Sequence, residues 1–577
     1  MKAVREALCA ERAAFSLSAF RFQLSAFSSQ LSAFRFPPLA LSSRMPKYSL
    51  AAATALLLLG TIPAAATAQS PAPDRDIDLV VMLVVDQMHP DYFTRFHDDM
   101  HGGLRRLFDR GAVFLHGMQD HAMTLTAPGH STVLSGRPPA STNIVSNARG
   151  VPDPASPLIG APKASGASPK NFRGTALYDW MLARDSNTVA LSVSRKDRGA
   201  ILPIGRARAS VYWYGYNGTF TTSRWYRDSL PAWLDAWNAR RGVMKLAGSS
   251  WTLMLPASRY AESETFSFEN RGKDTHFPHR LPGDSAGLVS AITETPMMDS
   301  LVLNLAFAGT RELKLGSRGS PDLLVVSLSA TDAIGHDWGP DSREMHDQIV
   351  RLDRELGRFF DSLATLVPAS RTVVALTADH GGGSTTQYSR DVLHQQAGHV
   401  TMRQLLPTGE RGLRDLEARW KTDFAVTDES GLIAGDVAAM RARGIDTDSL
   451  SARLAQVIGA HPEVARVLTP ATLAAASDTD VVARRWRRQL PQGFGWLAAV
   501  VLQPHYIWSS SGMATHGTPS TEDVTVPILF MGPGIAHRMY DRAIRTTSIG
   551  PTLARLVGTA PTEPVDGEVL PEIAQGR

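Results

Sequence analysis

The sequence predicts an α/β fold: a mainly parallel central sheet with helices on both faces and inserted segments capping the carboxyl ends of the strands. Ile77–Val85 is a nearly continuous apolar run, and the pattern recurs at Leu323–Leu328 and Thr372–Leu376. Unbroken apolar character, not alternation, marks a parallel strand buried on both faces. Helix-like segments separate these runs, as βαβ units require. Each run also ends in Asp, or in Asp with His: Asp86, Thr331-Asp332 and Asp379-His380. Ligands of open parallel sheets gather just beyond the carboxyl ends of the strands.

Taken in chain order, Ile77–Val85 is the first strand. Thr124–Thr132 follows as a turn into a helix, with Pro128 near the first turn, where its missing N–H costs nothing. Val189, Leu191 and Val193 form a strand stripe before Ser194-Arg195-Lys196-Asp197-Arg198-Gly199. Residues about 200–300, rich in Trp, Tyr, Ser and Arg, depart from the core pattern; Trp213-Tyr214-Gly215-Tyr216 is typical. Ser342–Leu366 is helical, with apolar residues at Ile349, Leu352, Leu356, Phe359, Phe360 and Leu363. A second departure, about 384–510, contains amphipathic helices such as Ser449–Ile458, and both departures are read as insertions over the strand ends. Val526–Met531, before Gly532-Pro533-Gly534, is the fourth strand candidate.

Composition bounds the function classes. The chain has 577 residues, 43% hydrophobic and 20% charged, with a formal charge of +4. That charge is small for the length and no Lys/Arg run marks a polyanion stripe, so no nucleic-acid partner is expected. From Met45, Lys47 gives a positive start, Leu50–Ile62 a short apolar core and Ala66-Thr67-Ala68 a cleavage pattern before Gln69. The core falls short of the roughly 20 residues of a spanning helix. Residues 45–68 are therefore read as a signal peptide, the product as periplasmic or secreted without a stable membrane anchor. Upstream, Leu-Ser-Ala-Phe recurs at Leu17, Leu24 and Leu31, and residues 1–44 are read as a non-native leader preceding the true start at Met45. Residues 69–577 are then a single catalytic domain with two insertions. The only cysteine, Cys9, lies in the leader, so the mature chain has neither disulfide nor thiolate ligand.

The chemistry must come from carboxylates, imidazoles and hydroxyls. Thr126 is expected at the turn into a helix, where free N–H groups and the helix dipole stabilise an oxyanion. Alone, it reads equally well as an N-cap. An Asp after one strand is also an ordinary cap, but three such sites, two carrying His, are not. Asp332 and His336 are four apart, within reach of one metal from a helix turn or compact loop. Asp379 and His380 are adjacent and need a bend to meet one ion. Ala514-Thr515-His516-Gly517-Thr518 adds an imidazole among small residues. Such a set suits Zn²⁺, and less strictly Mn²⁺ or Co²⁺.

Asp86, Thr126-Ala-Pro-Gly-His130, Asp332-x-x-x-His336, Ala378-Asp379-His380-Gly381 and His516-Gly517 together resemble the alkaline phosphatase superfamily, in its nucleotide pyrophosphatase/phosphodiesterase-like branch. The motifs stand in family order across nearly the whole mature chain. The resemblance implies two zinc ions per chain. One would be held by Asp332, His336 and His516; the other by Asp86, Asp379 and His380 with the Thr126 oxygen beside it. It implies Thr126 as nucleophile and a phosphothreonine intermediate. It also implies a phosphate-contacting Asn, here Asn147 in Asn143-Ile144-Val145-Ser146-Asn147, although Asn147 reads equally as the start of an Asn-Ala-Arg-Gly turn. Lys196-x-Arg198 resembles the pair of the PafA-type, phosphate-irrepressible alkaline phosphatases, which diesterase relatives generally lack. If the backbone stays extended there, both side chains point one way and can clamp a dianion.

The expectation is an exported phosphate monoester hydrolase acting on small phosphate monoesters. A phosphodiesterase or nucleotide pyrophosphatase is the alternative. A sulfatase would need a Cys/Ser-x-Pro-x-Arg motif, which Thr126-Ala-Pro-Gly-His is not. A metal-independent binding module would leave the matched Asp and His as mere caps. His89, His121, His130, His394 and His399 are expected in packing or supporting roles.

Overall fold

Leu79–Val85 lies at the centre of a ten-stranded sheet, buried along its whole length. In this computed structural model the strand order is Arg538–Met539, Ala112–Met118, Thr525–Met531, Thr372–Thr377, Leu79–Val85, Asp322–Leu328, Ala190–Ser194, Ser210–Tyr214 and Phe220–Thr221, with Ile544–Arg545 also paired to Ala112–Met118. Adjacent strands from Thr372–Thr377 to Ser210–Tyr214 run parallel. The structure describes residues 77–574 except 162, 216, 265, 267, 406–424, 427–429 and 510–513. The expected leader, the signal peptide, Cys9 and Tyr216 lie outside the described residues.

The continuous apolar run has the expected consequence. Leu79, Val81, Leu83 and Val85 pack into one hydrophobic cluster, and Val80, Met82 and Val84 into another, because successive side chains leave opposite faces of a strand. Helices Pro296–Leu313 and Arg343–Ala364 cover the first face through residues such as Met298, Val302, Ile349 and Leu356. Helices Leu177–Arg184 and Ile549–Leu556 cover the other through Trp180, Met181, Ile549 and Leu553. The long helix starts where its cap does: Ser342 accepts a hydrogen bond from the Met345 amide.

Thr525–Met531 is a strand, but it runs antiparallel to both its neighbours. Its amino end, not its carboxyl end, therefore faces the ends of the parallel strands. This is why His516 precedes its strand, whereas Asp86, Asp332 and Asp379 follow theirs.

The first inserted segment is shorter than the composition suggested. Ser210–Tyr214 pairs in parallel with Ala190–Ser194 and so belongs to the central sheet; its mixture of Ser, Tyr and Trp hid an edge-side strand. Beyond Phe220–Thr221 the chain forms a small ribbon, Ser250–Trp251 against His279–Arg280. Trp251 Nε1 and the Tyr260 hydroxyl, each donating at 2.6 Å to Asp347, tie this region to the long helix. The second segment builds its own sheet, Ala425–Val426, Leu432–Ala434, Trp496–Leu502 and Val464–Leu468. Gln489 joins it to two loops: its side chain accepts from the Met123 amide at 2.9 Å and donates to the Val145 carbonyl at 2.7 Å. Arg545, Arg488, Arg485 and Arg484 surround the buried carboxylate of Asp120 at 2.9, 3.5, 3.8 and 3.9 Å.

The Thr126–Val133 helix is pressed against the Asp379 turn, where a Cβ at Gly129 would overlap the Asp379 carbonyl. Gly-to-Ala inside a helix ordinarily stabilises by up to about 1 kcal/mol. Here the sign is expected to reverse: Gly129→Ala should destabilise by about 1–3 kcal/mol, read as a lower denaturant midpoint. A raised midpoint would contradict this contact.

Candidate active site

The register of the central strands sets three carboxylates at one level. Val85 lies opposite Leu328, and Val84 opposite Thr377, so the chain leaves three adjacent strands together. Asp86 follows the first directly and is fully buried, as is Asp379 in the bend after Thr377. Asp332 sits in the first turn of the Ala330–Asp337 helix and His336 in its last. That i,i+4 spacing puts them on one face, with His336 Nε2 3.3 Å from Asp332 Oδ1. His516 Nε2 reaches the same oxygen at 3.4 Å. His380 Nε2 lies 3.3 Å from Asp379 Oδ2, and its ring stacks on His516 with centroids 3.5 Å apart.

Thr126 opens a helix whose every residue is buried, and the cap position belongs to the extended Leu125. Its hydroxyl is therefore not spent as an N-cap. It faces Lys196, whose Nζ lies 3.4 Å from Thr126 Oγ1. The same ammonium is 2.6 Å from Asp86 Oδ2 and 2.6 Å from Asp332 Oδ2. Burial opposes ionisation of Asp332, yet Lys196 and His336 hold its carboxyl well below the ordinary range.

The histidines divide by what their rings are bonded to. Nδ1 of His336, His380 and His516 lies at 2.9, 3.0 and 2.7 Å from the carbonyls of Ala514, Gly381 and Thr124. A carbonyl can only accept, so each Nδ1 carries the proton and each Nε2 presents a lone pair toward the carboxylates. This is the orientation that supporting hydrogen bonds give metal-ligating histidines. His380 Nε2, Asp332 Oδ1 and Asp379 Oδ2 are buried without a hydrogen-bond partner. Burial and the neighbouring His516 push the His380 imidazole well down, which favours its neutral form. Buried polar atoms left unpaired are rare and call for a ligand or ion. These residues fit divalent cations.

His130 is different. Its Nδ1 meets the Thr126 carbonyl at 2.9 Å and its Nε2 meets Ser327 Oγ at 2.9 Å, so both nitrogens are engaged. It sits between Asp379 Oδ2 at 3.3 Å and Asp86 Oδ1 at 3.4 Å. Burial disfavours its charge, but Asp379 and Asp86 outweigh that and raise its pKa. By proximity alone, ligand atoms of Asp86, His130 and Asp379 fall within 4.8 Å of one another, as do those of Asp332, His380 and His516. That grouping moves His380 toward Asp332 and puts His130 where the sequence placed His380. His380 keeps an unpartnered Nε2 facing the carboxylates, whereas both ring nitrogens of His130 are engaged where it stands between Asp86 and Asp379.

Asn147 begins the turn read from its sequence context, and its side chain reaches the start of the Thr126–Val133 helix. Its carbonyl accepts from the Gly150 amide at 3.1 Å, forming the turn, while its side-chain Oδ1 accepts from the Ala127 amide at 2.9 Å. Its Nδ2 thus stands beside the start of the Thr126–Val133 helix. Lys196 and Arg198 do not share an extended backbone. Lys196 is extended, but Asp197–Ile201 is helical and Arg198 lies in its first turn, with Asp197 Oδ1 accepting the Arg198 amide at 2.7 Å. Both nevertheless line one cavity of about 400 Å³, and Arg198 Nε is buried without a hydrogen-bond partner.

The supporting role expected of His130 takes a specific form here, and Ser327 was not foreseen from the sequence. His130 carried a signal: four residues after Thr126 on a helix, its ring returns over the Thr126 carbonyl. Ser327 carried none, being one small residue inside an apolar strand.

The chain is similar to known proteins over most of its length. The family model for type I phosphodiesterase / nucleotide pyrophosphatase matches residues 80–519. Alkaline phosphatase PhoK of Sphingomonas sp is 31% identical over 532 residues, covering 86% of this chain and 91% of that protein. Alkaline phosphatase PafA of Elizabethkingia meningoseptica is 28% identical over 548 residues, covering 87% of this chain and 94% of that protein. The crystal structure of wild type alkaline phosphatase PafA matches with a TM-score of 0.79 at 26% identity, over 86% of this chain and 99% of that one. The chain belongs to the type I phosphodiesterase / nucleotide pyrophosphatase family.

Proposed function

We propose that the protein is an exported alkaline phosphatase, a phosphate monoester hydrolase with Thr126 as its nucleophile. The observation that carries this reading is the contact of Lys196 Nζ with Thr126 Oγ1 at 3.4 Å. It places a fixed positive charge where a phosphoryl group attacked by Thr126 would bring its non-bridging oxygens. A monoester dianion has the extra charge such a lysine rewards, whereas a diester puts a second organic group there. Relatives named alkaline phosphatase, matched over 91% and 94% of their length, support the same reading.

Thr126 attacks phosphorus in line as the bond to the leaving oxygen breaks; its hydroxyl proton passes to solvent and the departing alkoxide takes one up to leave as the alcohol. Water then cleaves the phosphothreonine, releasing inorganic phosphate and restoring the hydroxyl. Lys196, Arg198 and Asn147 Nδ2 bind the non-bridging oxygens as positioned electrostatic groups. His130 fixes the Thr126 turn between Asp86 and Asp379. Two zinc ions, one held by Asp332, His336 and His516 and the other by Asp86, Asp379 and His380 beside Thr126 Oγ1, would supply Lewis-acid charge that eases deprotonation and stabilises the departing oxygen.

A second reading, a phosphodiesterase or nucleotide pyrophosphatase, is favoured by the description of the matched family model. Comparing kcat/KM for an aryl phosphate monoester and diester separates them. The account expects monoester preference, and a diester preference would move the assignment to the second reading. The Lys196→Ala/Arg198→Ala double variant is expected to lose monoesterase activity by at least about 100-fold and diesterase activity far less; equal losses would remove the clamp.

Metal analysis is expected to find about two zinc ions per chain and hydrolysis abolished by chelation. Tight binding of phosphate esters by the metal-free protein would instead mark a binding module. Among the described residues no helix is long and apolar enough to cross a membrane. With residues 45–68 as signal peptide and 69–577 as one catalytic domain, the exported protein should begin at Gln69 by N-terminal sequencing. A mature end upstream of Met45 would contradict this assignment.

A further inference from the structure

We infer that the cavity beside Lys196 and Arg198 receives the alcohol part of the ester, and that Arg195 selects alcohols bearing a second negative charge. That charge would be a carboxylate or a second phosphate. The inference rests on the monoesterase reading of the same site.

The cavity, about 400 Å³, is lined among others by Arg195, Lys196, Arg198, Trp213, Tyr214 and Thr293. That volume suits a small metabolite. Lys196 joins the cavity to the chemistry, since its Nζ stands 3.4 Å from Thr126 Oγ1. Three cations, Arg195, Lys196 and Arg198, line the cavity beside one carboxylate, Asp197. Lys196 is committed to Asp86 and Asp332, and Arg198 Nη1 is 3.7 Å from Asp197 Oδ1. Arg195 is only partly buried, and among the described residues its side chain has no hydrogen bond or ion pair.

Arg195 is also placed away from the nucleophile. Lys196 is extended (φ −91°, ψ 137°), and its Nζ reaches Thr126 Oγ1, whereas its neighbour Arg195 lines the cavity without a bond to the carboxylate cluster. There it lies within electrostatic reach of Glu294 and Asp337. Asp337 directly follows His336, the outermost of the site imidazoles, with a side chain 36% exposed. Arg195 thus stands on the side where an ester emerging past His336 would carry its alcohol. Tyr214 adds no opposing charge, since burial pushes its phenol up to about 12 and its hydroxyl donates to the Val289 carbonyl at 3.3 Å.

The test uses two aryl monoesters of equal shape, 3-carboxyphenyl phosphate and 3-carbamoylphenyl phosphate, with 1,3-phenylene bisphosphate as a further substrate. Wild-type kcat/KM is expected to favour the carboxylate over the carboxamide by about tenfold, less at high salt. Arg195→Gln should bring that ratio to about one and Arg195→Glu should invert it, with both variants checked for unchanged unfolding midpoints. If only the bisphosphate depends on Arg195, a second phosphate is the group recognised. Equal rates on the paired monoesters and no Arg195 dependence of the bisphosphate, or ratios that survive both substitutions, would overturn the inference while leaving the monoesterase reading intact. Failure to cleave any monoester while cleaving a diester would sink that reading itself.

Discussion

Asp86, Asp332 and Asp379 are buried together at the carboxyl end of the central sheet, and the arrangement around them follows from that burial. An ionised carboxylate taken out of water costs several kcal/mol unless it is paired. The chain meets this demand with Lys196 between Asp86 and Asp332 and with His130 between Asp86 and Asp379. Three lone pairs on His336, His380 and His516 point inward at the same place. The nucleophile candidate is held against this cluster by the helix it begins, whose glycine admits the Asp379 carbonyl. Moving any one of these groups would leave another charge uncompensated.

The fold delivers the groups by two routes. Parallel strands bring Asp86, Asp332 and Asp379 in register, each just beyond its strand. The antiparallel Thr525–Met531 strand brings His516 from its amino side, and Gln119 secures the junction. Its amide donates to the Val524 carbonyl at 2.8 Å, its side-chain Nε2 donates to the Ala378 carbonyl at 2.9 Å, and its Oε1 accepts from Thr132 and Thr546 at 2.9 Å each. One buried glutamine therefore links the Asp379 turn, the Thr126–Val133 helix and the segment behind His516. The Gln489 and Asp120–arginine contacts hold the second insertion against the two loops that carry Thr126 and Asn147.

Much of this was legible in the sequence because strand burial and strand-end chemistry leave a linear signature. Leu79–Val85, Asp322–Leu328 and Thr372–Thr377 read as buried parallel strands, and their terminal Asp and His residues converge as expected. The direction of Thr525–Met531 was not legible, since an apolar run looks the same either way. Ser210–Tyr214 was hidden by polar and aromatic residues that suit a strand toward the sheet edge. The Lys196-x-Arg198 spacing suggested an extended pair, but Asp197 opens a helix and its side chain accepts the Arg198 amide. His130 was assigned a supporting role from its sequence. That it separates two carboxylates depends on a helix turn and on Ser327, distant in the chain.

The central claim is that Thr126 attacks phosphorus. Acid-quenching the enzyme during turnover of a phosphate monoester and mapping its peptides by mass spectrometry tests this directly. The account predicts one phosphoryl group on the peptide containing Thr126, on that residue, chased off when substrate is exhausted. Phosphorylation at another residue, or turnover with no covalent adduct and inverted configuration at phosphorus, would contradict it.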